Sequence, residues 1–146
     1  PKATEEQSGI TVIRDMHSLF TDLNFYNAIL VAHSLGGLYA NLYARVYPEN
    51  IKALVLVDSP HPLEIEKQKS LTQPFILRML NDGFKVVEKV FDKFKYSEDE
   101  CILKTIEQIK ISDSFPNIPV AVVSGMKKMP FVPEESFTIH LKYQQK

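Results

Sequence analysis

The stretch Ala28-Ile29-Leu30-Val31-Ala32-His33-Ser34-Leu35-Gly36-Gly37-Leu38 decides how this chain is read. An unbroken apolar run meets a serine that has Ala32 two residues before it and Gly36 two residues after it. The run from Tyr26 to His33 predicts a strand buried on both faces of a parallel sheet. Leu38 to Glu49 then predicts a helix. The corner between them has a chemical use. A serine hydroxyl is a weak nucleophile unless it is held clear of the backbone, next to a base and near amide donors. A sharp strand-to-helix turn does this by straining the serine backbone, which is tolerated only between small neighbours. Ser34 is therefore the candidate nucleophile. The backbone N–H of Leu35, where the helix begins, is the candidate oxyanion donor.

Outward from this corner the pattern stays consistent. Upstream, Val12, Ile13, Met16, Leu19, Phe20 and Leu23 fall on one helical face, with Asn24 as the stop and His17 on the polar side. Downstream, Ile51 to Asp58 (IKALVLVD) reads as a second strand, which completes a right-handed strand–helix–strand unit. Ser59-Pro60-His61-Pro62 is a turn-rich exit. From Leu63 to about Ser114 no strand pattern appears. Pro74 predicts the start of a helix carrying Phe75, Ile76, Met79, Leu80, Phe84, Val87, Val90, Phe91 and Phe94, which Gly83 weakens or bends. Ser97 with Glu100 predicts a capping box for a second helix with Ile102, Ile106 and Ile109 inward. Ile118 to Gly125 reads as a third strand. Pro133 opens a last helix with Glu134 and Glu135 in its first turn.

The bulk numbers exclude several functions. A length of 146 residues suggests one domain, and 45% hydrophobic with 24% charged residues is ordinary globular composition. A formal net charge of -1 gives no electrostatic case for nucleic acid. No apolar run approaches the roughly 20 residues of a membrane span. Pro1 to Gly9 is polar and unlike a secretory leader, so the expected compartment is the cytoplasm. The single Cys101 excludes an internal disulfide. No Cys/His spacing suits a metal.

The corner and its flanks resemble the nucleophile elbow of the α/β-hydrolase fold family, with Ala32 where glycine is usual. The following helix ends in a similar aromatic-Pro-acid stop, Tyr47-Pro48-Glu49. The resemblance covers roughly residues 10–146, and its specific motifs lie in 28–62. It implies an α/β fold, a mostly parallel sheet flanked by helices with a helical cap insertion. Residues 1–146 would form a partial hydrolase domain, with 10–60 and 116–146 as core and 61–115 as cap. The apolar faces of the cap would line an acyl pocket or pack on one another and on the core. Members of the family are longer. The chain is therefore expected to be an interior fragment lacking the first strands and the segment with the catalytic histidine.

The resemblance implies a serine hydrolase acting on a carboxylic ester-type bond through an acyl-enzyme on Ser34. Thioester, amide and acyl-transfer chemistry use the same corner. The alternative is a catalytically dead relative that serves as a binding module. Most of the family places its acid after the strand that here ends near Gly125, but Met126-Lys127-Lys128-Met129 offers no carboxylate. A minority places it one strand earlier, which makes Asp58 the candidate acid. The competing reading is a turn-forming aspartate at the Ser59-Pro60 corner, and Glu134 ranks third. None of His17, His33, His61 and His140 is assigned as base. The catalytic histidine is expected outside this chain. No cofactor or metal is implied. The expected partner is a small ester or acyl substrate, and a fragment of this kind is expected to self-associate through an exposed sheet edge.

Overall fold

The computed structural model describes residues 8–69, 95–128 and 132–145. Helix α1 (Gly9–Asp22) leads to strand β1 (Ala28–His33) and helix α2 (Gly36–Val46). A single 3-10 turn (Pro48–Asn50) enters strand β2 (Ile51–Val57), followed by helix α3 (Pro62–Lys69). Helix α4 (Lys95–Ile111), strand β3 (Val120–Val123) and helix α5 (Glu134–Gln144) complete the described elements. The three strands form a parallel sheet in the order β1-β2-β3. His33 pairs with Val57, and Val57 pairs with Val123, so all three strands end at one level. In open α/β sheets ligands bind outside that edge.

Local sequence explains the boundaries. Asn24 stops α1 at φ 56°, a left-handed position that asparagine tolerates better than most residues. Pro48 sits at the start of the 3-10 turn, where a missing amide costs little. Pro62 likewise opens α3, a short helix whose apolar pattern is too weak to read from sequence. Ser97 lies inside α4, which begins at Lys95, so the capping box does not start that helix. The helix predicted from Pro74 falls outside the described residues.

The core forms where α1, α2 and α4 meet. Ile13, Leu38, Leu42, Tyr43, Ala44, Ile102, Ile106 and Ile109 are all buried in it. Ile102, Ile106 and Ile109 face inward as their spacing predicts. The 95–111 segment thus packs beside α1 and α2. The Ile10 amide ties the start of α1 to it by donating to Gln108 Oε1 at 2.9 Å.

Two expectations need correction. His17 does not face solvent. Its ring stacks on Tyr47 at 3.8 Å, and its Nδ1 lies 3.2 Å from Tyr43 Oη and 3.1 Å from Asn50 Nδ2. The face α2 offers to α1 carries polar-tipped rings, so it takes a hydrogen-bonding partner as well as apolar ones. The second correction concerns β1, which is not buried on both faces. Leu30 packs toward the helical core, whereas Ile29 and Val31 are 58% and 70% exposed. Among the described strands β1 lies at the edge, and α2 covers one face of it.

Candidate active site

Ser34 sits between β1 and α2 with φ 53°. Its amide donates to Val57 O at 3.0 Å, which pins the corner to the end of β2. Its carbonyl accepts from Gly37 N at 3.0 Å, and Leu38 N donates to Leu35 O at 3.0 Å, so the first turn of α2 winds tightly. Leu35 has already turned helical, at φ -58° and ψ -25°. An amide at this position has no acceptor one helical turn back. Together with the helix dipole it suits a developing negative charge.

The small residues around the corner differ in how tightly they are held. A Cβ on Gly36 would stand 4.0 Å from Ala32 Cβ, an ordinary van der Waals contact that an alanine would satisfy. Gly37 is stricter, because a Cβ there would overlap Ser59 Oγ and lie 3.2 Å from Leu56 Cδ2. The need for glycine at Gly37 comes from the β2 exit folding over the helix, which no local motif encodes.

Asp58 occupies the matching corner at the end of β2, with φ 45°. Its amide donates to Val123 O at 2.8 Å, and its Oδ1 accepts from Gly125 N at 2.6 Å. The residue is exposed. Ser34 and Asp58 directly follow the paired residues His33 and Val57, so they leave neighbouring strands side by side.

The other candidates lie elsewhere. His33 is exposed on β1. His61 helps to start α3: its Nδ1 accepts from Leu63 N at 3.2 Å, and its ring stacks on Tyr143 at 5.6 Å. Glu134 pairs with Lys128 at 3.6 Å on the surface. His140 Nδ1 lies 3.0 Å from Glu64 Oε1. The fully buried Glu64 carboxylate also accepts from Gln68 Nε2 at 2.8 Å and from the His61 amide at 3.2 Å. Sequence reasoning missed this acid–histidine contact, because its halves sit on two helices far apart in the chain. Away from the site, burial lowers the Arg45 pKa, and its guanidinium donates to Asn41 Oδ1 and Asp113 O. Among the described residues, no group of three His, Cys, Asp or Glu converges as a metal site. No described helix is long and apolar enough to cross a membrane.

Comparison with known proteins extends the picture. A family model described as alpha/beta hydrolase fold matches residues 3–100. Mouse epoxide hydrolase 4 is 35% identical over 51 residues, which is 35% of this chain and 14% of that protein. Among solved structures, an alpha/beta hydrolase enzyme from the sediment metagenome of the Mar Chica lagoon, Morocco, superposes with a TM-score of 0.58. It is 24% identical, and the match covers 94% of this chain and 57% of that one. A probable hydrolytic enzyme from Pseudomonas aeruginosa gives a TM-score of 0.54 at 19% identity, covering 98% and 58%. The chain thus spans little more than half of these structures.

Proposed function

The chain belongs to the alpha/beta hydrolase fold family, and from that premise we propose that the protein is a serine hydrolase acting on a carboxylic ester-type bond. The observation that carries the reading is Ser34, held at φ 53° in a strand-to-helix corner beside the Leu35 amide. Ser34 Oγ attacks the acyl carbon while its proton passes to a base. The Leu35 N–H stabilises the oxyanion of the tetrahedral intermediate. Collapse expels the alcohol, which takes up the proton, and water releases the acid from the acyl-enzyme. Asp58 is the acid of the reading, and the histidine it would orient lies outside this chain.

The family tolerates other chemistry, and the identity of the nucleophile separates the options. A serine that opened an epoxide would become an alkyl ether, with no acyl carbon for water to attack. An ester returns the serine hydroxyl in each cycle. The similarity to epoxide hydrolase 4 therefore supports the fold and hydrolytic ancestry more than an epoxide substrate.

The test is the intact mass of this chain and of Ser34→Ala after exposure to a fluorophosphonate probe, with and without added imidazole as a surrogate base. The expected result is a single adduct that imidazole accelerates and Ser34→Ala abolishes. Rapid labelling without imidazole would place the base within these residues. A folded chain that stays unlabelled under both conditions overturns the reading in favour of a non-catalytic binding module.

A further inference from the structure

Beneath the Ser34 corner Ser59 and Gly37 make a close contact. Ser59 is 4% exposed, and its hydroxyl oxygen makes no hydrogen bond. That oxygen rests against the α-carbon of Gly37, in the space a Cβ would occupy. The Gly37 amide in turn holds Ser34 O at 3.0 Å. On its other side Ser59 follows Asp58. Its carbonyl accepts from Gln144 Nε2 at 2.7 Å, while Gln144 Oε1 accepts from Ser124 Oγ at 2.7 Å. Ser124 precedes Gly125, whose amide binds Asp58 Oδ1 at 2.6 Å. The exits of all three strands are therefore braced together, and Ser59 is the member that touches the elbow helix.

We propose that Ser59 is a positioning residue for Ser34. Seated against bare Gly37, it sets the height of the first turn of α2 and so the placement of Ser34 and the Leu35 amide. The inference rests on the reading of Ser34 as the nucleophile. Packing alone does not account for the residue. An alanine would fill the space without leaving a buried hydroxyl unpaired, and such unpaired groups are rare enough in folded proteins to ask for a reason. The brace through Gln144 also makes the position of Ser59 depend on the Asp58 corner. Both candidate catalytic corners thus share one support.

The test exchanges volume across the contact. Rates of imidazole-supported phosphonylation of Ser34 are compared for the parent, Gly37→Ala, Ser59→Gly and the double variant. Gly37→Ala should slow the reaction by roughly tenfold or more, as expected for a displacement of about 1 Å at a reacting group. Adding Ser59→Gly should recover most of that loss. Circular dichroism and thermal midpoints accompany each rate. Ile106→Val, a core change between the helices, should lower stability and leave the rate unchanged. The positioning role is overturned if Gly37→Ala reacts at the parental rate, if the double variant is no faster than Gly37→Ala, or if Ile106→Val slows the reaction as much. A parent chain without a Ser34 adduct overturns the functional reading itself, and Ser59 then has nothing to position. A normal Ser34 adduct with unresponsive variants removes only the positioning role.

Discussion

Ser34 and Asp58 hold φ values of 53° and 45°, where an L-residue with a Cβ is strained by about 1 kcal/mol or more. At most positions alanine outperforms glycine, but here the order should invert. Ser34→Gly is expected to be more stable than Ser34→Ala by about 1 kcal/mol, read from urea midpoints, and equal midpoints would mean the corner is relaxed. At Asp58 the carboxylate and the backbone can be separated. Asp58→Asn keeps an acceptor for the Gly125 amide and tolerates the left-handed backbone, whereas Asp58→Ala loses both. Asp58→Ala should therefore cost about 1–3 kcal/mol and Asp58→Asn clearly less. If Asp58 is also the acid of the proposed mechanism, both variants should lose hydrolytic activity despite their different stabilities. The strain at Ser34 was legible because its small neighbours lie two residues away on either side. The Asp58–Gly125 and Gly37–Ser59 contacts were not, because each joins segments that no spacing rule connects.

Among the elements, Ile13, Met16 and Phe20 of α1 pack inward as their spacing predicts, whereas Leu19 and Leu23 from the same predicted face are 53% and 51% exposed, and β3 lies inside the segment read for it. What periodicity misses is how one face meets another. The polar cluster of His17, Tyr43, Tyr47 and Asn50 between α1 and α2 is the clearest case. Tyr43 is fully buried, and burial is the main cause that raises its phenol above the ordinary 10.0. Repulsion from Tyr47 and Glu49 adds to this, and a hydrogen bond to Asn50 partly opposes it. The folded chain thus holds this proton more tightly than the unfolded chain. The stabilisation is complete below the unfolded value and is lost as pH rises through the folded one. Thermal midpoints measured from neutral to strongly alkaline pH should fall at the alkaline end. Tyr43→Phe should flatten that fall while costing about 1 kcal/mol at neutral pH for the lost contact with His17. An unchanged alkaline fall in Tyr43→Phe would assign it to another group.

For the whole molecule, the decisive feature is the sheet face turned away from α2. Ile29 and Val31 on β1 share that face with Val55 and Val57 on β2 and with Val123 on β3, which is 54% exposed. The β1 edge is unpaired among the described strands. An apolar face beside an open edge favours contact between copies. This chain on its own is expected to self-associate with rising concentration in sedimentation velocity, and Val31→Lys should shift it toward monomer. A monomer at every concentration would contradict this. The near-continuous apolar run of β1 identified a strand, but its second face stays open among the described residues. What covers the second side is a property of the assembled molecule, beyond the reach of a local pattern.

The strand order carries a consequence for how the site comes together. β2 returns to β1 across residues 34–50, whereas β3 reaches β2 only after residues 58–119. Closing the longer loop costs roughly 1 kcal/mol more in chain entropy. The Ser34 corner is built from neighbouring chain, but the anchor of Asp58 waits for a distant strand to arrive. The last strand to dock is also the one whose loss is cheapest. Early loosening of the chain should therefore release the Asp58 corner while the Ser34 corner still holds.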